Sequence, residues 1–131
     1  MTIAAFDSLA RITGPTLLDR LNAGVNASAF ARLAMAIDVP ASRLADALGL
    51  SPRTLRNRDR LSADETERAF RAYRVLVRAC EVLESEDGAR EWMRTGQRAL
   101  GGRTPLSMLV RDVGAEEVLN LLGAIEDGGY V

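Results

Sequence analysis

The 131-residue sequence predicts an all-α protein. Apolar residues recur at spacings of three and four along most of the chain, which is the pattern of amphipathic helices. No segment shows the sustained alternation and β-branched enrichment that are typical of strands. In addition, residues 41–60 contain two short amphipathic segments separated by a turn too tight to be an ordinary linker. We therefore expect one compact helical domain or two small helical units.

The composition is that of an ordinary soluble protein, with 47% apolar and 27% charged residues. The longest apolar runs are far too short to cross a bilayer, and the N-terminal residues lack the basic leader and hydrophobic stretch of a signal peptide. We therefore expect a cytoplasmic protein without a membrane partner.

Catalytic and metal-binding residue types are scarce. Histidine is absent and Cys80 is the single cysteine, so we expect no disulfide, no metal site and no cofactor. No G-x-S-x-G motif, phosphate loop or paired-carboxylate motif supplies a catalytic group instead. The sequence thus predicts a protein that is not an enzyme, with Cys80 as a small core residue.

Charge is distributed unevenly although the net charge is only −1. Residues 28–78 contain ten arginines and six acidic residues, whereas residues 79–131 contain five arginines and ten acidic residues. A basic middle and an acidic end suggest two different partners.

Three short helical segments are predicted before residue 40. Residues 2–12 fit a first helical turn or two, or a mobile arm. A break at Gly14-Pro15-Thr16 precedes a short helix that stops near residues 22–24, and a third helix, capped by Ser28, ends before Pro40. The apolar positions of these segments are Ile3, Phe6 and Leu9, then Leu17, Leu18 and Leu21, then Phe30, Leu33, Ala34 and Ile37.

Residues 41–60, ASRLADALGLSPRTLRNRDR, predict a helix-turn-helix. Ala45 is small where the two helices approach, and Gly49 can adopt the positive φ that the turn requires. Ser51 can cap the second helix, and Pro52 follows at the first helical position, where its missing N–H costs nothing. The inward positions are Leu44, Leu48, Leu50 and Leu55. The alternative is a plain αα corner with a solvated arginine face.

The second helix of this pair exposes long hydrogen-bond donors, with Asp59 its only carboxylate. In the major groove of DNA, Arg recognises guanine and Asn recognises adenine. The predicted DNA-binding residues are Ser51, Arg53, Thr54, Arg56, Asn57 and Arg60. Because one short recognition helix provides too few base contacts for useful specificity, we expect binding as a homodimer.

A long helix is predicted from about Ala63 to Glu84, beginning at a capping box of Ser62 and Glu65 with Leu61 as hydrophobic staple. One side carries Phe70, Tyr73, Val77, Cys80 and Leu83, and another carries the arginine stripe Arg68, Arg71, Arg74 and Arg78. The stripe is expected either to contact phosphates or to be solvated. The helix connects the basic and acidic parts, so the predicted division is residues 1–62, 63–86 and 87–131.

Three further helices are predicted after a break at Asp87-Gly88. The first, from Ala89 to Thr95, carries Trp92 as a core residue. The second is capped by Thr104, starts with Pro105 and ends at Gly114, and the third runs from Ala115 to Ile125. The inward positions of the last two are Leu106, Leu109 and Val110, then Val118, Leu121, Leu122 and Ile125.

A longer pattern spans this C-terminal third. It consists of Trp92 with Met93, then Ala99-Leu100-Gly101-Gly102-Arg103-Thr104-Pro105-Leu106 and Leu109, then Gly114, Val118, Leu122, Ile125 and Gly128 to Tyr130. Upstream stand Leu50-Ser51-Pro52-Arg53-Thr54-Leu55 and Arg60-Leu61-Ser62 with Glu65. Together these residues resemble the Xre/MbcA/ParS antitoxins, which are encoded beside RES-domain toxins. The resemblance covers nearly everything after Ala27, whereas residues 1–14 match no pattern of that family.

The resemblance implies an Xre-like helix-turn-helix domain and a small helical toxin-binding domain. It implies an antitoxin of a type II system that neutralises an NAD-consuming RES toxin with its C-terminal domain and represses its own operon with its N-terminal one. The toxin chemistry stays open between NAD hydrolysis, NAD phosphorolysis and ADP-ribose transfer. The alternative is a free-standing regulator whose C-terminal half only dimerises.

The chain end is predicted to block the active site of such a toxin. Glu126 and Asp127 would pair with cationic groups that hold the NAD pyrophosphate, and Gly128 and Gly129 would let the backbone enter a narrow cleft. Tyr130 and the carboxylate of Val131 would occupy the substrate's space. Arg103 and an outward Leu119 or Leu121 complete the predicted toxin-binding set. The alternative is a tail that makes no contact.

Overall fold

The computed structural model describes residues 2–128, which fold into α-helices and two 3₁₀ turns without any strand. The helices are α1 (Ala4–Ala10), α2 (Gly14–Ala23), α3 (Ala27–Ile37), α4 (Ala41–Ala47), α5 (Pro52–Arg56), α6 (Ala63–Leu83), α7 (Glu86–Met93) and α8 (Asp112–Glu126). The 3₁₀ turns are Arg98–Leu100 and Leu106–Met108. The predicted all-α fold is confirmed.

Helix α6 is the centre of the fold. The predicted capping box is present, since Ser62 Oγ accepts from the Glu65 N–H and the Glu65 carboxylate accepts from the Ser62 N–H. The prediction gave α6 one apolar side, but Ala69, Ala72, Val75, Leu76 and Ala79 are buried as well as Phe70 and Tyr73. The extra burial arises because α7 and α8 pack on the same helix as α1, α2 and α3.

The N-terminal segment is part of this core. Helix α1 buries Phe6 and Leu9, and the ring of Phe6 stacks on Tyr73 with centroids 5.3 Å apart. The hydroxyl of Tyr73, on α6, donates a hydrogen bond to Asp7, which lies on α1 next to Phe6. Residues that matched no family pattern in the sequence therefore complete the packing around α6.

Three predictions about α2 and α3 are wrong. Asn26, two residues before Ser28, is the N-cap of α3: its side-chain oxygen accepts from the Ala29 N–H at 3.0 Å and also from the Ser28 hydroxyl. Gly14 and Pro15 are the first residues of α2 rather than a break before it. Leu18 points outward, with 62% of its surface exposed, because only Leu17 and Leu21 turn towards the core.

Helix α5 ends at Arg56, four residues earlier than expected. The following residues are drawn into extended pairing with the segment before α3: the Ala27 N–H donates to Asp59 O and the Leu61 N–H donates to Val25 O, both at 2.8 Å. This pairing forms one isolated antiparallel bridge between Asn26 and Arg60. Because extended backbone cannot continue a helix, Asn57 becomes the C-cap of α5 and Arg60 lies outside it.

The break between α6 and α7 lies at Glu84 and Ser85 rather than at Asp87-Gly88. Glu84 ends α6 with a φ of 52°, and the Ser85 hydroxyl caps α7 by accepting from the Gly88 N–H at 2.9 Å. Asp87 and Gly88 therefore stand in the first turn of α7. Trp92 near its end is half-buried against the core.

The last two predicted helices are arranged differently. Thr104 Oγ1 accepts from the Ser107 N–H at 3.1 Å, but the N-cap residue is Pro105 instead, and only the 3₁₀ turn Leu106–Met108 follows. Gly114 lies in the first turn of α8 instead of ending a helix, and a Cβ there would collide with the carbonyl oxygen of Met108. Val110 consequently faces solvent, and Ile125 is only half-buried.

A buried hydrogen bond joins α6 to the segment before α3. The fully buried Thr66 accepts from the Val25 N–H through its Oγ1 at 3.2 Å. Thr66→Val keeps the shape but leaves that N–H without an acceptor, so we expect a loss of about 1–3 kcal/mol in the free energy of unfolding.

Urea denaturation measures this loss, and Thr66→Ser is the matched control. The serine variant keeps the hydroxyl and loses one methyl group, for a cost of about 1 kcal/mol. A valine variant as stable as the wild type would show that the hydrogen bond does not support the fold.

Candidate DNA-binding and toxin-binding surfaces

Helix α5 presents its side chains to solvent. Ser51 caps it as predicted, accepting from the Thr54 N–H at 3.3 Å, and Pro52 is the first helical residue. Arg53, Thr54 and Arg56 are exposed. Among residues 2–128, no hydrogen bond or ion pair engages the guanidinium of Arg53 or Arg56. Both donors are thus available to a ligand.

The position of α5 is set by its two ends. No residue of α5 is buried, and Leu55 is only half-buried against the core. An apolar groove of about 290 Å³ lies between α5 and helices α3 and α4, lined by Phe30 and Ala45 among others. The helix is therefore held by the tight turn before it and by the extended pairing after it, rather than by a buried face.

The other two predicted DNA-binding residues, Asn57 and Arg60, donate hydrogen bonds to backbone carbonyls of this chain. The Asn57 amide donates to Arg53 O at 3.3 Å, which closes the end of α5. Arg60 Nη1 donates to Gly24 O at 2.6 Å. Gly24 has a φ of 76°, and a Cβ there would collide with Leu61 O, so Arg60 braces a junction that only glycine fits.

Most of the arginine stripe of α6 is bonded within the chain, although Arg74 is exposed, as the solvated alternative expects. Arg68 Nη1 donates to Leu48 O at 2.9 Å in the helix-turn-helix turn, and Arg71 Nη1 donates to Leu109 O at 3.0 Å. Arg71 also pairs with Asp112 at 2.6 Å. Arg74 stacks over the Phe70 ring, 5.7 Å from its centroid. Arg68 and Arg71 thus fasten other parts of the chain to α6, whereas Arg74 contacts a residue of α6 itself.

The fourth arginine of the stripe holds the end of α8. Arg78 donates to both carboxylate oxygens of Glu126, at 2.7 and 3.1 Å. These bonds lower the pKa of Glu126 below its ordinary value, because Arg78 stabilises the ionised carboxylate. Sequence reasoning missed Arg78 as the partner of Glu126, since residues 48 positions apart in the chain give no local signal.

The remaining predicted toxin-binding residues lie on several elements. Leu119 is half-buried on α8, whereas Leu121 is buried, so the prediction that Leu121 could anchor a partner is wrong. Arg103 is exposed after the first 3₁₀ turn and donates to Leu100 O at 3.4 Å. Asp127 and Gly128 are exposed, and Gly128 has a φ of 79°. Gly129, Tyr130 and Val131 lie outside the described residues.

Three further features concern metal ligands, the single cysteine and membrane-spanning helices. Within residues 2–128, no three His, Cys, Asp or Glu side chains are grouped as a metal ion would require. Burial raises the pKa of the half-buried Cys80 thiol, so the reactive thiolate is disfavoured. In the same part of the chain, no helix combines the length and apolar character needed to cross a membrane.

Comparisons with known proteins fit both halves of the chain. Residues 16–72 match the antitoxin Xre-like helix-turn-helix domain, and residues 78–128 match the antitoxin Xre/MbcA/ParS C-terminal toxin-binding domain. The first match ends and the second begins within α6. They define a class of protein, the antitoxins that combine a helix-turn-helix with a toxin-binding domain.

Relatives narrow this class to one family. An antitoxin Xre of Yersinia enterocolitica is 31% identical over 122 residues, which cover 89% of this chain and 82% of that protein. An antitoxin Xre of Photorhabdus laumondii is 41% identical over 70 residues, or 53% of this chain and 47% of that protein. The chain belongs to the antitoxin Xre family.

Proposed function

We propose that this protein is an antitoxin that inhibits a RES-domain toxin and represses its own operon. Residues 1–62 would bind DNA and residues 87–131 would bind the toxin, with residues 63–86 connecting these two regions. The protein would act in the cytoplasm. The observation that carries the DNA-binding part is the contrast between α5 and α6. Three arginines of α6 are hydrogen-bonded to this chain, whereas Arg53 and Arg56 on α5 have no partner among residues 2–128.

The DNA-binding role follows from these free donors. Ser51, Arg53, Thr54, Arg56 and Asn57 stand on or next to one exposed turn and a half of helix, which can enter a major groove. Arg60 remains in the proposed set as a backbone contact, since its guanidinium already donates to Gly24 O. So short a reading helix favours a homodimer on two half-sites.

The position of the end of α8 supports the toxin-binding role. The Arg78–Glu126 pair fixes the last turn of α8, so the residues that follow start from a defined point. Glu126 would keep the end of α8 in place. Its carboxylate could pair with a cationic group of the toxin only if it also kept its bonds to Arg78 or gave them up. Asp127 has no ion pair within residues 2–128, which leaves its carboxylate free for a cationic group.

The proposed inhibitory contact is made by the residues that follow Glu126 at the end of α8. Asp127 would meet the cationic groups that bind the NAD pyrophosphate, Gly128 and Gly129 would enter the cleft, and Tyr130 with Val131 would occupy the substrate's space. Leu119 and Arg103 would contact the rim. The protein itself would then act as an inhibitor and not as an enzyme, and it would need no cofactor.

Replacing Arg53 or Arg56 with Ala should weaken operator binding by about 1–3 kcal/mol each, because a bidentate contact to a base is lost. Discrimination at that base pair should relax as well. Fluorescence anisotropy at fixed salt measures both effects. Arg98→Ala, which removes an exposed arginine from the C-terminal half, should leave the affinity unchanged.

Equal operator affinity for Arg53→Ala, Arg56→Ala and Arg98→Ala would remove α5 from the DNA interface. The salt dependence adds a second criterion. Removing an arginine that contacts a phosphate reduces the slope of log affinity against log salt concentration by about one. Removing an arginine that contacts a base changes the sequence preference instead.

Deleting residues 127–131 should abolish inhibition of NAD turnover by the cognate toxin while operator binding stays intact, because the deletion removes the plug and leaves the core. Asp127→Ala removes the charge alone and Tyr130→Ala removes the ring alone, so the two variants show which of these groups the inhibition requires. Glu117→Gln is the control, since it neutralises an exposed acid on α8 outside the tail.

Full inhibition by the truncated protein would exclude the plug and leave the helical surface around Leu119 as the inhibitory contact. If neither form inhibits or binds the toxin, the protein is instead a regulator whose C-terminal half serves another purpose.

A further inference from the structure

Helix α5 has little packing to hold its position. It comprises only five residues, none of which is buried, and a groove of about 290 Å³ lies on its inner side. A helix of this length is unstable in water unless contacts with the rest of the fold order it. The direction in which Arg53 and Arg56 point therefore depends on the bonds at the two ends of α5.

An ion pair ties the end of α5 to the start of α6. The Arg58 N–H donates to Leu55 O at 3.3 Å and so closes the last turn of α5. The side chain of the same arginine donates through Nη1 to Glu65 Oε1 at 2.6 Å. That oxygen also accepts from the Ser62 N–H at 2.7 Å, within the capping box of α6. One carboxylate oxygen thus joins the two helices.

The surroundings of the pair distinguish Arg58 from the free arginines of α5. Only 10% of the Glu65 side chain is exposed, so water stabilises its charge poorly and Arg58 is the cation that pairs with it. A phosphate that approached Arg58 would lie beside this fixed negative charge, which repels it. The guanidinium groups of Arg53 and Arg56, by contrast, have no partner within residues 2–128. The geometry therefore favours a structural role for Arg58 and leaves base contacts to the other two.

We propose that Glu65 and Arg58 are positioning residues that fix α5 in the orientation in which it reads base pairs. The inference rests on the proposed function and deepens it, because it gives a residue of α6 a part in operator recognition. Base contacts require donors aligned within the narrow limits of hydrogen-bond geometry, whereas attraction to phosphates acts in many orientations. The pair should therefore strengthen binding to the operator without strengthening binding to unrelated DNA.

Glu65→Gln tests the carboxylate, because the glutamine oxygen can still accept from the Ser62 N–H. Loss of a partly buried charge-assisted hydrogen bond shifts the ordering of a helix end by about tenfold, so we expect operator affinity to fall by up to about tenfold. Affinity for a scrambled duplex of equal length should not fall, and fluorescence anisotropy measures both. Glu67→Gln is the matched control, since it removes the same charge from an exposed position on α6 and should weaken neither complex. Removal of an acid by itself favours DNA binding, so a fall for Glu65→Gln alone is diagnostic.

Arg58→Ala is the second variant, and it leaves the capping box intact. We expect the same fall in operator affinity, an unchanged slope of log affinity against log salt concentration, and no further loss when Glu65→Gln is added. A slope reduced by about one would make Arg58 a phosphate contact and overturn the inference. Losses that add in the double variant, or operator affinity that stays at the wild-type value in either single variant, would overturn it as well.

Hydrogen–deuterium exchange of the protein without DNA separates this inference from the proposed function. The N–H groups of Leu55, Asn57 and Arg58 have backbone acceptors, so their exchange reports the order of α5. Both single variants should speed exchange at residues 55–58 while the amides of α6 stay protected, and Glu67→Gln should not. Equal exchange in all forms would overturn the inference. Faster exchange in both variants, with a wild type that binds operator and scrambled DNA equally, would confirm that the pair positions α5 and contradict the proposed function alone.

Discussion

The structure depends on the way α6 is bonded to both halves of the chain. Its 21 residues span about 30 Å, and three of its arginines reach carbonyl or carboxylate oxygens on either side. Arg68 holds the turn of the helix-turn-helix, Arg71 holds the segment before α8, and Arg78 holds the end of α8. The buried side of α6 lies in one continuous core with all the other long helices. Both proposed binding surfaces are therefore positioned by one helix, and neither half needs a separate core.

Local signals in the sequence predicted much of this fold. The capping box of Ser62 and Glu65 and the Ser51-Pro52 helix start are interactions over three residues, so the residue types suffice to find them. The burial of Phe30, Leu33 and Ile37 likewise follows from helical spacing. The errors occur where distant segments decide. The early end of α5 requires pairing with residues 25–27, and the place of Gly114 requires the approach of Met108.

The candidate sites show the same division between local and distant causes. The exposure of Arg53 and Arg56 follows from the helical pattern, as predicted. The sequence could not show that Arg60 braces Gly24, that Glu126 is already paired with Arg78, or that Leu119 stands half-buried at the edge of the core. In each case the contact that decides the outcome is with residues distant in the chain. Whether Tyr130 enters a toxin cleft stays a prediction, because it lies outside the described residues.

We propose that DNA and toxin occupy separate surfaces of one fold joined by α6. Hydrogen–deuterium exchange tests it directly, with the chain measured alone, with operator DNA and with the cognate toxin. We expect the operator to slow exchange at residues 51–57 and the toxin to slow it at residues 119–131, while the buried amides of α6 exchange equally slowly in all three states. Slowing by the toxin at residues 51–57 without any change after residue 119 would contradict the account.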